Sequence, residues 1–323
     1  FDITPASEIM AIMCFSKNLN DLKQRIGNIL LGFDYNDKPF FVRDMGVEGA
    51  IVALLKDALC PNLVQTTEGT PAFVHCGPFA NIAHGCNSVV ATQAALTYGD
   101  YAITEAGFGA DLGAEKFYDI KCRKTGLQPR LTVLVVTLQA LKMHGGVSYD
   151  HIKEPNVKGV EAGFWNLDKH VENLKKFGQN VVIAFNRYGE DTAEEIEAVR
   201  RHCETDLQIG FAVNNAFAEG GEGAEELARL VVNSVENNAS EALRLLYADT
   251  DSVEHKIFTV AREIYRAGNV TYSAKARQQL KNISRLGFDH FPVCIAKTQY
   301  SFSTDAKACG PVDGFEMEIA DIV

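Results

Sequence analysis

The stretch 181–189, VVIAFNRYG, decides how the rest of this sequence is interpreted. Its first five residues are apolar without alternation, which is typical of a strand covered on both faces and therefore of a parallel sheet. Polar and glycine residues, Asn186–Gly189, follow at once. Since ligands bind beyond the carboxyl ends of parallel strands, the sequence places candidate functional residues directly after this run.

Four further runs have the same apolar, β-branched character: Tyr101–Ile103, Leu131–Val136, Ile209–Val213 and Val293–Ala296. Helical patterns lie between them, at Ile51–Leu59, Leu167–Phe177, Thr192–His202 and Ala224–Val235. The third of these helices begins with a capping box, Thr192 to Glu195. This alternation predicts an α/β fold with mainly parallel sheets and flanking helices.

The length, 323 residues, exceeds what one core usually covers and favours about two domains. Two glycines and a proline interrupt both periodicities between Gly145 and Gly159, which predicts a linker and a boundary near residue 160. A weaker break lies near Gly287. The expected domains are therefore 1–160, 161–286 and 287–323. Because the chain opens without Met and stops without a tail, we expect a fragment.

Composition excludes several classes of protein. With 46% hydrophobic and 23% charged residues, the chain is globular rather than disordered. Its net charge of −11 opposes nucleic-acid binding. The eight cysteines are widely spaced without a CxxC motif, and no apolar run approaches the length of a membrane span. We expect a soluble, cytoplasmic protein without nucleic-acid or membrane partners.

The glycine-rich loop 104–113, TEAGFGADLG, superficially resembles a phosphate cradle. It is not a GxxxxGK[ST] loop, because Lys116 comes three positions after Gly113. That motif occurs nowhere else in the chain. Nor does a GxGxxG follow a strand and open a helix, which argues against a dehydrogenase.

Three aromatic residues, Phe108, Tyr188 and Phe217, lie beside glycines at the ends of predicted strands. A planar heterocycle could stack on such rings, with Asn186 and Asn215 as polar anchors. The alternative is that the rings fill the space between sheet and helices. The sequence alone leaves both interpretations open.

His75, His84 and His144 lie in or beside glycine-rich segments. No HExxH and no short-spaced triplet of His, Asp and Glu accompanies them, so a hydrogen-bonded structural histidine is favoured over a metal ligand. We assign no metal site. A GxSxG elbow is also absent, which disfavours a covalent hydrolase.

Two longer motifs carry a resemblance: 75–88, HCGPFANIAHGCNS, and 104–117, TEAGFGADLGAEKF. Both closely resemble the formate–tetrahydrofolate ligase family, also called formyltetrahydrofolate synthetase. The similarity continues through residues 1–10, 56–58, 61–66, 141–146, 181–188, 218–223 and 292–299. It covers essentially the whole chain, while members of the family are longer at both ends.

The resemblance implies an incomplete large domain like that of P-loop NTPases, a folate-binding α/β domain and the start of a small third domain. It implies ATP-dependent ligation of formate to tetrahydrofolate through formyl phosphate, with Mg-ATP, tetrahydrofolate as substrate and the monovalent cation common in the family. A homotetramer is typical of the family. The catalytic residues stay unknown, because the family's phosphate-loop lysine and the arginine that follows precede this chain.

Site residues are carried over from the family one by one. Phe108 and Gly109 match the loop between nucleotide and folate, and Tyr188 and Phe217 would sandwich the pterin. Thr4 and Ala80, with Phe108, match positions near the nucleotide.

Two positions depart from the family pattern. Phe217 stands where relatives often have Trp, so its face for stacking is smaller. Cys76 replaces a glycine or alanine. The alternative function is a non-catalytic folate-binding module that lacks the phosphate loop.

Overall fold

In the computed structural model, which describes Thr4 and residues 7–323, the chain forms two compact units. Unit 1 contains the residues up to Phe108 together with Cys294–Ala296. Unit 2 contains Gly109–Val293 together with Lys297–Val323. Of the family-like stretch 1–10, residues 1–3, 5 and 6 lie outside the described part of the chain.

Unit 1 combines five helices with two short hairpins among its described residues. The helices are α1 (Glu8–Phe15), α2 (Leu19–Gly27), α3 (Val42–Met45), α4 (Glu48–Leu55) and α5 (Val89–Tyr98). The strands are β1 (Leu30–Phe33), β2 (Pro39–Phe41), β3 (Asn62–Gln65) and β4 (Pro71–Val74). β1 pairs with β2 and β3 with β4, both antiparallel. In the described residues of this unit, all strand pairing is therefore antiparallel.

The core of unit 1 is formed by apolar side chains from its first helices. Met13, Leu22, Ile26, Val42 and Leu59 form a buried cluster. The cluster draws on α1, α2 and α3, with Leu59 following α4. Each helix thus contributes one apolar face, which is how short amphipathic helices gain stability.

Unit 2 contains the other elements. Its strands are β5 (Thr132–Val136), β6 (Val181–Asn186), β7 (Gly210–Asn214), β8 (Asn269–Tyr272) and β9 (Glu316–Ile319). Its helices are α6 (Arg123–Thr125), α7 (Leu138–His144), α8 (Val157–Ala162), α9 (Phe164–Lys176), α10 (Ala193–Arg201), α11 (Ala216–Glu219), α12 (Glu225–Asn237), α13 (Val253–Glu263) and α14 (Ala274–Leu286). Wider π-type turns occupy Ala110–Ala114, Phe117–Cys122 and His202–Asp206, and 3₁₀ turns occupy Tyr149–His151 and Glu222–Ala224.

The centre of unit 2 is a parallel sheet in the order β5-β6-β7. The first five residues of β6, Val181–Phe185, are all buried. Because alternate side chains of a strand point to opposite faces, this pattern means that both faces of β6 are covered. α9 packs against β5 and β6, and α12 packs against β6 and β7. The predicted α/β fold with parallel sheets is confirmed in this unit, where β8 and β9 also pair in parallel.

The predicted capping box at the start of α10 is confirmed. Thr192 Oγ1 accepts a hydrogen bond from the Glu195 N–H at 3.3 Å, and Glu195 Oε2 accepts one from the Thr192 N–H at 3.3 Å. The buried Glu195 carboxylate also accepts from Lys142 Nζ at 2.7 Å and from the Asn156 N–H at 2.7 Å. One side chain therefore links α10 to α7 and to the start of α8.

Two of the predicted strands are wrong. Tyr101–Ile103 forms no strand, and its Ile103 side chain is 87% exposed. The nearest pairing is a single antiparallel bridge between Cys86 and Ala106. Val293–Ala296 is also not a strand, although Ile295 is buried. Both runs have the composition of a strand, but neither has a partner strand in the described residues to complete a ladder of hydrogen bonds.

The predicted linker between Gly145 and Gly159 is packed. A Cβ on Gly145 would lie 2.0 Å from the Gly159 carbonyl oxygen, so the two glycines allow the backbones to touch. Trp165 Nε1 donates to the His144 carbonyl at 3.3 Å. Val160, at the predicted boundary, is fully buried in α8. The domain boundaries near residues 160 and 287 stay predictions.

Candidate ligand-binding site

The carboxyl ends of β6 and β7 form one edge of the parallel sheet in unit 2. Their last residues, Asn186 and Asn214, are paired in register. Asn214 Nδ2 donates to Asn186 Oδ1 at 2.7 Å, and the Arg187 N–H donates to the Asn214 carbonyl at 3.1 Å. These bonds hold the two chain segments that leave the sheet side by side. We call this edge, with residues 186–189 and 214–217, the strand-end edge.

Tyr188 lies on the first of these segments, two residues after β6. Its backbone N–H donates to Asp191 Oδ2 at 2.8 Å, and its carbonyl accepts from the Asp191 N–H at 3.1 Å. Burial raises the pKa of Asp191, while the hydrogen bond from Tyr188 lowers it. The backbone of Tyr188 is therefore fixed, whereas its ring is 46% exposed.

Phe217 lies on the second segment, in the short helix α11. Its ring is fully exposed to solvent. A hydrogen bond from the Asn215 N–H to the Gly223 carbonyl, at 2.9 Å, holds the start of this segment against the glycine cluster 220–223. A Cβ on Gly223 would lie 2.5 Å from the Asn215 carbonyl oxygen, so this close approach requires glycine. The glycine cluster 220–223 thus serves to position Asn215 and Phe217.

The exposure of Phe108, Tyr188 and Phe217 argues against the interpretation that their rings fill the space between sheet and helices, while stacking of a ligand on them stays a prediction. Tyr188 is 46% exposed, Phe108 is 52% exposed and Phe217 is fully exposed. A ring that filled the space between sheet and helix would be buried, and these three rings are not. Large aromatic surfaces held open on an ordered backbone are available for a ligand to stack on. Of the two predicted anchors, Asn186 is engaged through its side chain and Asn215 through its backbone.

Phe108 is the last residue of the continuous part of unit 1. Its φ of 56° is in the left-handed region, which is uncommon for a residue other than glycine and is a frequent feature of ligand-binding loops. The preceding Gly107 N–H donates to the Gly85 carbonyl at 2.8 Å. The ring meets Phe79 edge to face, with 6.4 Å between centroids.

Ala80 and Thr4 are the other predicted nucleotide residues in unit 1. Ala80 is fully buried, and a Cβ on Gly85 would lie 2.2 Å from its methyl group. Its side chain therefore supports the turn that carries Gly107 and Phe108. Thr4 is exposed, and its carbonyl accepts hydrogen bonds from the Ser7 N–H and hydroxyl at 3.1 and 2.8 Å. Their nucleotide contacts stay predictions.

Gly109 begins unit 2 directly after Phe108 in the chain. A Cβ at this position would lie 2.5 Å from Asp111 Oδ1, so the residue has no room for a larger side chain. Its carbonyl accepts from the N–H groups of Leu112 and Gly113, both at 3.0 Å. The predicted site residues therefore divide between the units, with Gly109, Tyr188 and Phe217 in unit 2.

The contacts of His75, His84 and His144 favour the interpretation of these residues as structural histidines. Both ring nitrogens of His75 are engaged, Nδ1 with Ser88 Oγ at 2.6 Å and Nε2 with the Ala58 carbonyl at 2.7 Å. His84 is buried against the Phe15 ring. His144 packs edge to face on Trp165, and its pKa is lowered by burial and by the nearby His170.

Two grooves of unit 2 are lined by residues other than the predicted aromatics. One, of about 540 Å³, lies between Gly145 and Gly159, and the other, of about 550 Å³, lies beside Lys169 and Arg266. In the described part of the chain, no three His, Cys, Asp or Glu side chains converge to hold a metal ion. The eight cysteines all lie in the described residues and form no disulfide there. None of the described helices combines the length and apolarity needed to cross a membrane.

Sequence reasoning missed a set of buried charges in unit 2. Five lysines there are almost fully buried: Lys116, Lys121, Lys142, Lys169 and Lys256. A sixth, Lys297, lies 3.3 Å from Asp111 Oδ2, and both side chains are buried. The sequence did place Asp111 in the glycine loop and Lys297 after an apolar run. It contained no signal that the two side chains meet.

The whole chain, residues 1–323, matches the sequence model of the formate–tetrahydrofolate ligase family. The chain belongs to this family. The resemblance carried by the motifs 75–88 and 104–117 is thereby confirmed. The ligand-binding roles of the strand-end edge and of the loop at Phe108 stay predictions.

Curated relatives share this similarity along the full chain. A formate–tetrahydrofolate ligase of Bacteroides fragilis is 65% identical over 323 residues, and one of Bacteroides thetaiotaomicron is 64% identical over the same length. One of Phocaeicola vulgatus is 66% identical. Each alignment covers 100% of this chain and 58% of the relative. The chain thus spans a little more than half the length of the curated relatives it matches.

Proposed function

We propose that the protein containing this chain ligates formate to tetrahydrofolate at the expense of ATP, giving 10-formyltetrahydrofolate, ADP and phosphate. One observation carries the contribution of this chain: two exposed aromatic rings, Tyr188 and Phe217, at the carboxyl ends of adjacent parallel strands. Family membership supports the choice of substrate, because tetrahydrofolate contains a pterin whose planar pyrimidine ring can stack on such side chains.

The reaction has two steps. A formate oxygen attacks the γ-phosphorus of ATP and the bond to the bridging oxygen breaks, which gives formyl phosphate and ADP. N10 of tetrahydrofolate then attacks the formyl carbon, the bond to the phosphate oxygen breaks, and N10 loses its proton. Both steps depend on aligning reacting groups and on stabilising developing charge, so a protein accelerates them largely by positioning.

In this proposal the residues of the strand-end edge bind and orient the pterin. Stacking on an aromatic ring contributes about 0.5–1.5 kcal/mol beyond burial of area. The Tyr188 backbone is fixed by Asp191, and the segment of Phe217 is fixed by Gly223, so little entropy is lost when the rings receive a ligand. Phe108 and Gly109 are the proposed loop between folate and nucleotide, and Thr4 and Ala80 are proposed near the nucleotide.

Neither Mg²⁺ nor a monovalent cation is assigned to side chains of this chain. The described residues bring together no three acidic, histidine or cysteine side chains that could hold a metal ion. The magnesium of Mg-ATP would balance phosphate charge. A large domain like that of P-loop NTPases, a small third domain and a homotetramer remain parts of the proposal that rest on the family.

Turnover by the full-length protein tests this function. Purified protein with formate, Mg-ATP and tetrahydrofolate should form formyltetrahydrofolate and ADP in equal amounts. Omission of formate or ATP should abolish both products, and omission of tetrahydrofolate should abolish formyltetrahydrofolate and limit ADP to what the first step forms. A protein that binds tetrahydrofolate but forms neither product would be a non-catalytic folate-binding module instead.

A further inference from the structure

A buried ion pair between Lys297 and Asp111 lies next to Gly109, the first residue of unit 2. Lys297 Nζ is 3.3 Å from Asp111 Oδ2, and the two side chains are only 2% and 8% exposed. A buried charge is costly unless it is paired and hydrogen-bonded, so each of these groups depends on the other. The pair joins the glycine loop to the distant segment 297–303.

Lys297 is held in a single direction by its other contacts. Its Nζ donates to the carbonyls of Thr298 at 2.8 Å and Ser301 at 2.5 Å, and it lies 4.9 Å from the centre of the Tyr265 ring. Burial lowers the pKa of Lys297, and Asp111 opposes that change. The ammonium group is thus a fixed point rather than a flexible surface charge.

Asp111 links the fixed Lys297 ammonium group to Gly109, because its carboxylate contacts both. The space where a Cβ of Gly109 would stand is filled by Asp111 Oδ1 at 2.5 Å and bordered by His170 Cε1 at 3.5 Å. The Gly109 carbonyl caps the turn that contains Asp111 through the N–H groups of Leu112 and Gly113. The Asp111 carboxylate therefore packs against Gly109 in the same turn that the Gly109 carbonyl caps, so loss of its position alters the packing that holds the Gly109 backbone.

We propose that Lys297 is a positioning residue for ligand binding, which acts through Asp111 to set the backbone of Gly109. This inference rests on the proposed function, in which Gly109 belongs to the loop beside the folate. Phe108, the next residue toward the N-terminus, has a left-handed φ of 56° and an exposed ring. Such a conformation persists only where its surroundings hold it.

A second buried ion pair provides a matched control. Lys142 Nζ lies 2.7 Å from Glu195 Oε1, with side chains 2% and 0% exposed. Lys142 also donates to a backbone carbonyl, that of Glu154, at 2.8 Å. This pair links α7 to α10, and its further hydrogen bonds join Glu154, Asn156 and Thr192 rather than a residue proposed to bind a ligand. It matches the Lys297 pair in burial and charge, and differs in what it positions.

The experiment compares Lys297→Met, Asp111→Asn and Lys142→Met in the full-length protein. Equilibrium titration with tetrahydrofolate alone, without ATP or formate, gives the dissociation constant independently of turnover. Lys297→Met and Asp111→Asn should each weaken tetrahydrofolate binding about tenfold, since small misplacements of binding groups cost this much or more. Their double variant should be no weaker than either single variant, because both remove the same contact.

Lys142→Met should lose thermal stability to a similar degree and bind tetrahydrofolate within about twofold of the unsubstituted protein. Equal losses of binding in Lys142→Met and Lys297→Met would overturn the positioning role. So would unchanged binding in Asp111→Asn, which nearly conserves side-chain volume and serves if Lys297→Met does not fold. Failure of the unsubstituted protein to bind tetrahydrofolate would instead overturn the proposed function together with this inference.

Discussion

The strand-end edge and the segment Ala110–Cys122 place their chemically active side chains in opposite environments. The edge exposes Tyr188 and Phe217, two large rings whose burial would stabilise the fold. The segment buries five charged side chains: Asp111, Glu115, Lys116, Asp119 and Lys121. In the proposed function, ligands are contacted by groups that the fold leaves open, while the buried charges fix the backbone around them. The predictions below test this division of roles.

The largest effect should come from breaking a buried ion pair of the charged segment. Asp119 Oδ1 lies 3.1 Å from Arg123 and accepts from the Leu246 N–H at 3.1 Å. Asp119→Ala should lower the free energy of unfolding by about 3–5 kcal/mol, because it leaves a buried guanidinium with one partner fewer. Denaturant titration measures this change.

An exposed pair provides the control for that measurement. Glu225 and Arg229 are more than half exposed, so Glu225→Ala should change stability by less than about 1 kcal/mol. Equal losses of unfolding free energy in Asp119→Ala and Glu225→Ala would show that burial does not determine how much an ion pair contributes to stability.

The pH dependence of the free energy of unfolding should reveal the raised pKa of Glu115, another buried carboxyl group of the segment Ala110–Cys122. Burial and the neighbouring Asp119 raise the pKa of Glu115 well above its ordinary value. A raised pKa in the folded state contributes stability below the unfolded value near 4.5, and this stability is lost as pH rises through the folded pKa. The unsubstituted protein should therefore lose up to about 1.4 kcal/mol per pH unit in that window.

Glu115→Gln replaces the carboxyl by a neutral group of similar shape and should remove this part of the slope. The difference in unfolding free energy between the variant and the unsubstituted protein should grow as pH rises above 4.5. If the unfolding free energies of the two proteins changed in parallel with pH, Glu115 would titrate in the folded state as it does in the unfolded state.

The smallest effect should come from enlarging one ring of the edge. Phe217 is fully exposed, so Phe217→Trp fits without a clash and presents a larger face. The KM for tetrahydrofolate should fall about twofold, a fraction of the ~0.5–1.5 kcal/mol of a stacked pair. The KM for ATP is the internal control. A rise in the KM for tetrahydrofolate would place the ring outside the pterin site.

The sequence predicted the edge well because its signals are local. Five successive apolar residues in β6 reflect burial on both faces, and the following polar residues mark the carboxyl end of the strand. The capping box at Thr192 is likewise contained within four residues. Whether Tyr188 and Phe217 are buried or open depends on packing, so the sequence left that question undecided.

The charged segment could not be predicted because its stability comes from residues far away in the chain. Asp111 meets Lys297, and Asp119 meets Leu246. The failed strand at Tyr101–Ile103 has the same cause, since a strand needs a partner that composition does not supply. Local patterns therefore located the strand-end edge, and only the structure located the long-range contacts of the segment Ala110–Cys122.

The central claim is that the strand-end edge binds the pterin, and the KM of Tyr188→Ala for tetrahydrofolate tests it most directly. In the full-length protein, this substitution should raise the KM for tetrahydrofolate about three- to tenfold, the range of a lost aromatic stack, and leave the KM for ATP within about twofold. Tyr149→Ala removes another exposed tyrosine of unit 2 and should change neither value. If Tyr188→Ala alters both KM values equally, or leaves that for tetrahydrofolate unchanged, the strand-end edge is not the folate site.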